Sequence, residues 1–284
     1  MIIIVGASGQ IGSNIVKELV AHQTPVRAIT HQAKYDFGPS VETGNADLLN
    51  TDDVIKAFKG GTTAFLLTPE KHNVEDIIEE TGKIIDNYKI AIKKTGIRRI
   101  VGLSCVGAHV KNNTGNILMS RLLEQAFIEF DIEKIFVRPS YFYSNWLGYV
   151  DLMNEAGILP TFFPADLEVE MHAPVDVARF VAQCIMKNEG KNGTTVHELA
   201  GTRYSSKNIA DIFAKKLNKA IQVQVISKEE RIPALMSAGF TENAARNMSD
   251  MTQAVIDKVT SFEFEDKVIR LPTSFDDYLK DVLR

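Results

Sequence analysis

Met1-Ile-Ile-Ile-Val5-Gly6-Ala-Ser8-Gly9-Gln10-Ile11-Gly12 opens the chain. Ile2 to Val5 are β-branched residues that favour a buried strand, and an apolar pattern at helical spacing (Ile11, Ile15, Val16, Leu19, Val20) begins at once behind the glycines. A strand, a tight turn and a helix N-terminus therefore meet at one corner. Unpaired backbone N–H groups and the positive end of the helix dipole converge there, which suits a pyrophosphate. Gly6 lets the chain turn, Gly9 lets phosphate oxygens approach the backbone, and Gly12 lets the helix pack closely on the strand. Ser8 adds a hydroxyl donor, and Gln10 and Ile11 complete the candidate cofactor turn. The spacing reads G-x-x-G-x-x-G, with Ser8 where the common G-x-G-x-x-G form has its second glycine. Glycine-rich turns are common, and what raises this one is its setting between strand and helix.

The chain has 284 residues, 45% of them hydrophobic and 24% charged, with a net charge of −4. That length buries one large core, or one core with an appended lobe, without help from disulfides or metal. The charge balance gives no broad attraction to nucleic acid or to an anionic membrane, so contact with either is not expected. Cys105 and Cys184, the only cysteines, each fall within an apolar run and read as buried thiols of a reducing compartment. No stretch reads as a membrane span, and the apolar run Ile2–Val5 has no basic leader, so a cytoplasmic protein is expected. No metal site is expected.

After the first helix, Pro25–Thr30 reads as the second strand, whose end is where nicotinamide enzymes distinguish their two cofactors. An acidic residue there holds the ribose 2′-hydroxyl of NAD. Here stand Thr30, His31, Gln32, Ala33 and Lys34, and the first carboxylate is Asp36, so NADP(H) is favoured over NAD(H). The alternative is that His31 and Lys34 are only solvated loop residues. Val41–Ala46 suits a third strand, followed by a helix from Thr51 with Asp52 and Asp53 in its first turn. Thr62–Thr68 makes a fourth, and ligands of a doubly wound sheet bind just past the strand C-termini, which places Thr68 and Pro69 near the nicotinamide ribose. The Glu70–His72 loop reads as a polar rim. A long helix from about Val74 to Lys94 closes at Gly96, and Arg99–Ser104 is the fifth strand. Repeated strand–helix alternation implies parallel strands with right-handed crossovers.

The glycine turn resembles the opening of the NmrA-like branch of the atypical short-chain dehydrogenases/reductases, and later segments agree with it in order. Gly44-Asn-Ala-Asp47-Leu48 is similar to a family segment lying beside the adenine, which implies that Asp47 accepts from the exocyclic amine; capping a turn is its other reading. The family pattern often has arginine where Thr30 stands. Ser104-Cys-Val-Gly-Ala resembles the segment that carries the catalytic serine in related dehydrogenases. In those enzymes a tyrosine and a lysine four residues apart share one helix face and move the proton. None of the seven tyrosines here has a lysine four residues on. Matching Glu124 to a glutamate frequent in the family puts Asn116 at the tyrosine position and Ser120 at the lysine position. Neither side chain performs that proton chemistry at neutral pH, so the catalytic residues stay unassigned.

Two readings follow from that loss. Hydride transfer to a quinone-like or planar carbonyl acceptor puts charge on a conjugated oxygen that water can protonate, so a dedicated acid matters less. The other reading is a non-catalytic redox sensor that binds NAD(P) and a protein partner, as some members of the resembling family are thought to do. A nucleoside-diphosphate-sugar epimerase fits the general fold but lacks the tyrosine–lysine pair.

Lys134–Val137 is a sixth strand, and Arg138-Pro139-Ser-Tyr141-Phe142-Tyr143-Ser-Asn145-Trp146 resembles a family segment that walls the active site. Tyr141, Phe142 and Trp146 can stack on a planar ring, with Phe162 opposite as wall or lid, unless these aromatics are simply core. His172 is a candidate to reach the cleft, and Asp176 reads as a helix-start acid in a segment similar to the family's Val-Asp-Val-Ala. Helices follow at Ser205–Leu217, Lys228–Met236 and Glu242–Val259, and Thr273–Asp277 carries a capping signal into a last helix. The whole is expected to be an α/β protein: a Rossmann doubly wound parallel sheet over residues 1–150 and a smaller, partly interleaved α/β substrate lobe over 151–284. The expected partner is a small-molecule substrate, with a homodimer or protein partner as a further possibility.

Overall fold

A computed structural model describes residues 1–31, 35–187 and 190–283. The opening apolar run forms β1 (Ile2–Val5), the glycine corner leads into α1 (Gln10–Ala21), and β2 (Val26–Thr30) and β3 (Glu42–Asn45) follow. The third strand is shorter than its sequence pattern and mostly polar, as an edge strand can be. Next come α2 (Thr51–Phe58), β4 (Thr63–Leu66), α3 (Ile77–Thr95), β5 (Arg99–Leu103), α4 (Ile117–Ala126) and β6 (Glu133–Pro139). The long helix starts at Ile77 and not near Val74 because the Asp76 carboxylate accepts from the N–H groups of Ile78 and Glu79, a cap that ends the preceding loop.

The later part of the chain weaves back and forth. It contains β7 (Tyr141–Phe142), α5 (Val150–Ala156), β8 (Ile158–Thr161), β9 (Val169–His172), α6 (Pro174–Met186), β10 (Gly193–Ala200) and β11 (Thr202–Tyr204). It ends with α7 (Ser206–Leu217), β12 (Gln222–Val225), α8 (Lys228–Ser237), α9 (Glu242–Ile256), β13 (Ile269–Arg270) and α10 (Phe275–Val282).

One eight-stranded sheet runs in the order β13-β10-β6-β5-β4-β1-β2-β3, and every pairing in it is parallel. Strand order reverses between β1 and β4, so a crevice opens past their C-terminal ends. Alternation along each strand feeds both faces. Ile4 packs with α1 and α6 residues such as Ile15, Val16, Val177 and Val181, whereas Ile3 and Val5 pack with Phe58, Ile84, Tyr88 and Leu123 of α2, α3 and α4. Coverage of both faces explains why β4 and β6 are buried throughout. Strands β10 and β13, both from beyond residue 150, complete this sheet, and α6 covers it. The remaining later elements build a second core around Tyr143, Trp146, Phe213 and Phe275, with the small sheets β11-β9-β7 and β12-β8.

Candidate functional site

The glycine corner has the geometry its residue types require. Gly6 has φ +64, and the side chain of Leu67, just beyond β4, lies 2.8 Å from where a β-carbon on Gly6 would be. A β-carbon on Gly12 would stand 2.2 Å from the Gly6 carbonyl oxygen, so only glycine lets α1 approach β1 this closely. Gly9 N–H donates to Gly6 O at 3.0 Å and Ser13 N–H to Gly9 O at 2.9 Å. Gly9 is the N-cap of α1 and supplies no side-chain acceptor, which leaves the first-turn N–H groups of Gln10, Ile11 and Gly12 to a ligand. Ser8, Gly9 and Gln10 are open to solvent; the Ile11 side chain is buried in the core and offers only its N–H. Gln10 Nε2 donates to Ser144 Oγ at 2.9 Å, tying the corner to the turn after β7.

The other candidate cofactor residues fall on the same edge, since each lies at the C-terminal end of one of the parallel strands β2 to β5. Thr30 is buried and its hydroxyl donates to Asn45 Oδ1 at 3.0 Å, while His31 is exposed; Lys34 lies outside the described residues. Asp47 is exposed and its Oδ1 accepts from Leu49 N–H at 3.0 Å, so this carboxylate caps a turn. Leu48 packs on the core and its carbonyl accepts from Asn87. Thr68 and Pro69 are half-buried past β4.

Ser104 points inward. It is 5% exposed, and its hydroxyl donates to Glu124 Oε1 at 2.5 Å. The same carboxylate takes a bidentate pair from Arg138, Nε to Oε1 at 2.8 Å and Nη2 to Oε2 at 2.7 Å. Arg138 also meets Glu263 at 2.6 Å and Glu198 at 3.5 Å, and Glu198 accepts from the N–H groups of Glu263 and Phe264. Burial opposes the Arg138 charge, but the paired carboxylates of Glu124 and Glu263 outweigh it and hold its pKa above the ordinary value. This buried cluster fastens the segment before β13 under β5 and β6. Its side chains, Ser104, Glu124, Arg138, Glu198 and Glu263, come from five separate parts of the chain, and no local sequence pattern marks their pairing.

Of the two residues that the resemblance matches to the tyrosine and lysine, Asn116 is 5% exposed with its Oδ1 unpartnered, and Ser120 hydrogen-bonds the Cys105 thiol. Burial pushes that thiol up to about 12, against the pull of the Ser120 hydrogen bond. Helix α9 seals this corner: Asn116 N–H donates to Asn247 O at 3.3 Å, and a β-carbon on Gly115 would lie 1.9 Å from the same oxygen.

The aromatic residues divide. Tyr141 is half-buried and stands edge-on to Phe163, with ring centres 5.6 Å apart. Phe142 is half-buried against His172 at 5.5 Å. Trp146 lies within the second core, 2% exposed, its Nε1–H donating to Met171 Sδ at 3.4 Å, so it presents no face to a ligand. Phe162 is half-buried, and its carbonyl accepts from Arg231 Nη2 at 3.1 Å. His172 is fully buried with neither ring nitrogen partnered, and burial drops its pKa to about 4. It does not open onto a cleft. Arg231 and Asn247, which tie α8 and α9 to this region, carry no motif in the sequence, while Glu70 of the rim loop is exposed.

Among the described residues no group of three metal-ligating side chains is assembled, and no helix is long and apolar enough to cross a membrane. The family model of the NmrA-like family matches residues 1–279. The NAD(P)H azoreductase of Xenophilus azovorans is 24% identical over 259 residues, covering 88% of this chain and 86% of that protein. Among solved structures, an NADPH-dependent quinone oxidoreductase of Escherichia coli complexed with NADPH superposes with a TM-score of 0.78 at 20% identity, over 100% of both chains. A nucleoside-diphosphate-sugar epimerase from Staphylococcus aureus does so equally, with a TM-score of 0.78 at 21% identity over 98% of this chain and 99% of that one. At these identities the superpositions show the fold alone.

Proposed function

The chain belongs to the NmrA-like family, and on that premise we propose that it is an NAD(P)H-dependent oxidoreductase acting on a planar, conjugated acceptor of the quinone or azo kind. The observation that carries this reading is the glycine corner: a close-packed turn with free helix N–H groups at the point where the sheet reverses its strand order. Backbone from Ser8 to Gly12 would hold the pyrophosphate, Thr30 and His31 the adenosine ribose, Asp47 and Leu48 the adenine, and Thr68 and Pro69 the nicotinamide ribose. A bound reduced dinucleotide supplies the hydride. This chain contributes orientation and a partly enclosed cleft, with Tyr141, Phe142 and Phe162 as the walls available to a flat ring. NADP(H) is favoured because no carboxylate follows Thr30 until Asp36, whose Oδ1 accepts from the Gly38 N–H.

The named activities of the azoreductase and the quinone oxidoreductase agree with a conjugated acceptor. The epimerase reading is disfavoured by Asn116 and Ser120 at the tyrosine and lysine positions. Those same positions favour, as a second reading, a cofactor-sensing protein without turnover. Fluorescence titration with NADPH and NADH, then stopped-flow mixing with quinones and azo dyes, tests the proposal. Tighter NADPH binding and oxidation above the enzyme-free rate are expected. Binding without oxidation by any acceptor would leave the sensor, and no binding would refute both.

A further inference from the structure

Asn116 stands where α4 begins, and its side chain does none of the work that an asparagine ordinarily does there. The usual role is to cap the first turn. Here the N–H groups of Ile117, Leu118 and Met119 already go to the carbonyls of Thr114, Gly115 and Asn116 itself, at 3.1, 2.9 and 3.1 Å, and no side-chain cap bond is made. With only 5% of its surface exposed, Asn116 has its Oδ1 enclosed and without a partner. Among the described residues its Nδ2 has no acceptor either, yet it is not one of the unpartnered atoms shut off from solvent. A buried carboxamide with neither end engaged points to a group that arrives from outside.

Helical phase and rise place this amide at the open end of the sheet. Leu123, seven residues on and so on the same side of α4, lies 3.5 Å from where a β-carbon on Gly102 of β5 would be. In a parallel sheet the connecting helix runs back against the strand it follows. From Leu123 to Asn116 it rises about 10 Å, the length of about three strand residues. Asn116 therefore stands level with Cys105, beyond Leu103, where β5 ends. Gly102 pairs with Leu66 at the end of β4, the strand that leads into Thr68 and Pro69, so the amide borders the nicotinamide end of the crevice, on the side away from β1. Its backbone is held there: the Asn116 N–H donates to Asn247 O of α9 at 3.3 Å, and Gly115 lies too close to that carbonyl for a β-carbon.

We propose that the Asn116 carboxamide is the hydrogen-bond donor for the acceptor atom on which charge gathers, the oxygen of a quinone or the second nitrogen of an azo group. This rests on the oxidoreductase reading above. Hydride forms one new bond to the electrophilic atom of the acceptor, and the displaced π pair settles on the conjugate oxygen or nitrogen. Asn116 Nδ2–H donates to that atom as the charge builds and keeps its own proton; water then protonates the reduced acceptor. A donor fixed in a partly enclosed cleft needs no reorganisation at that moment. With neither end held by the protein, the amide can turn its N–H2 group to the arriving atom. The neighbouring hydroxyls serve less well, since Ser104 already donates to Glu124 and Thr114 is fully buried.

Asn116→Leu in the full-length chain tests this, with Asn116→Ser as a variant that keeps a shorter donor. No protein group loses a side-chain partner, so Asn116→Leu is expected to melt at or above the parent's temperature and to bind NADPH as the parent does. Turnover of menadione should fall on the order of 100-fold in Asn116→Leu, with partial recovery in Asn116→Ser. The factor should be the same at every pH, because an amide does not titrate. One readout needs no turnover. Beside oxidised cofactor, which cannot reduce it, bound menadione should show its infrared carbonyl stretch shifted down in the parent and unshifted in Asn116→Leu. Unchanged turnover in Asn116→Leu with an active parent, or a melting temperature well below the parent's in both variants, would overturn the donor and leave the oxidoreductase standing. A parent that binds menadione with the shifted band, lost in Asn116→Leu, but never oxidises NADPH would keep the hydrogen bond and overturn the turnover. A parent that binds no quinone would overturn both.

Discussion

Replacing His172 with leucine tests how the seam between the two cores is held. His172 ends β9, paired in register with Phe142 of β7 and with its β-carbon against Gly201; its imidazole is fully buried, and neither ring nitrogen has a partner. Burial lowers its pKa from 6.5 to about 4. At pH 7 the residue is neutral whether the chain is folded or not. As pH falls through 6.5 the unfolded chain takes up a proton that the folded chain refuses until about 4. Stability therefore drops over that window and levels off below it. At 1.36 kcal/mol per pH unit the gap comes to about 3 kcal/mol.

At neutral pH the substitution removes an unsatisfied polar ring, a gain of about 1–3 kcal/mol, and loses an edge-on aromatic contact of about 0.5–1.5 kcal/mol. His172→Leu is thus expected to match or slightly exceed the parent at pH 7, and to exceed it by about 3 kcal/mol more at pH 4. Urea unfolding followed by circular dichroism at half-unit pH steps measures the difference. A parent-minus-variant difference that stays flat from pH 7 to 4 would refute the reasoning.

Two further substitutions probe the corner and its cover. Gly12→Ala sets a β-carbon 2.2 Å from the Gly6 carbonyl, whereas Gly9→Ala meets that oxygen at 3.3 Å, tight but relieved by a shift of a few tenths of an ångström. The first should cost about 1–3 kcal/mol of stability and abolish NADPH binding, while the second should keep the parent's melting temperature yet bind NADPH at least tenfold more weakly, both read by thermal melts and fluorescence titration. Arg231→Met removes two part-buried hydrogen bonds, to Gln253 Oε1 at 3.0 Å and to the Phe162 carbonyl at 3.1 Å. Loosening α8 from α9 and Phe162 should cost about 2–3 kcal/mol and raise the acceptor KM, with cofactor affinity unchanged; equal losses in both would argue against a role at the acceptor side.

Much of the fold is legible in short runs of residues. A β-branched run into glycines fixes β1 and its turn, and Ser274 does cap α10 by accepting from the Asp277 N–H. Strands shorter or more polar than their neighbours, such as β7, β11 and β13, carry too few residues to show a period. They form against strands already in place, β13 along β10 of the main sheet and β7 and β11 on either side of β9.

Strand, turn and helix at the opening are determined by the sequence alone, because backbone preference and apolar spacing act within a few residues of one another. Tertiary structure decided the rest of the site. It turned Ser104 inward to the Glu124–Arg138 pair and took Trp146 into the second core. The physical reason is distance along the chain: a carboxylate finds its guanidinium, or is left without one, only after long loops have closed, and no local pattern records which.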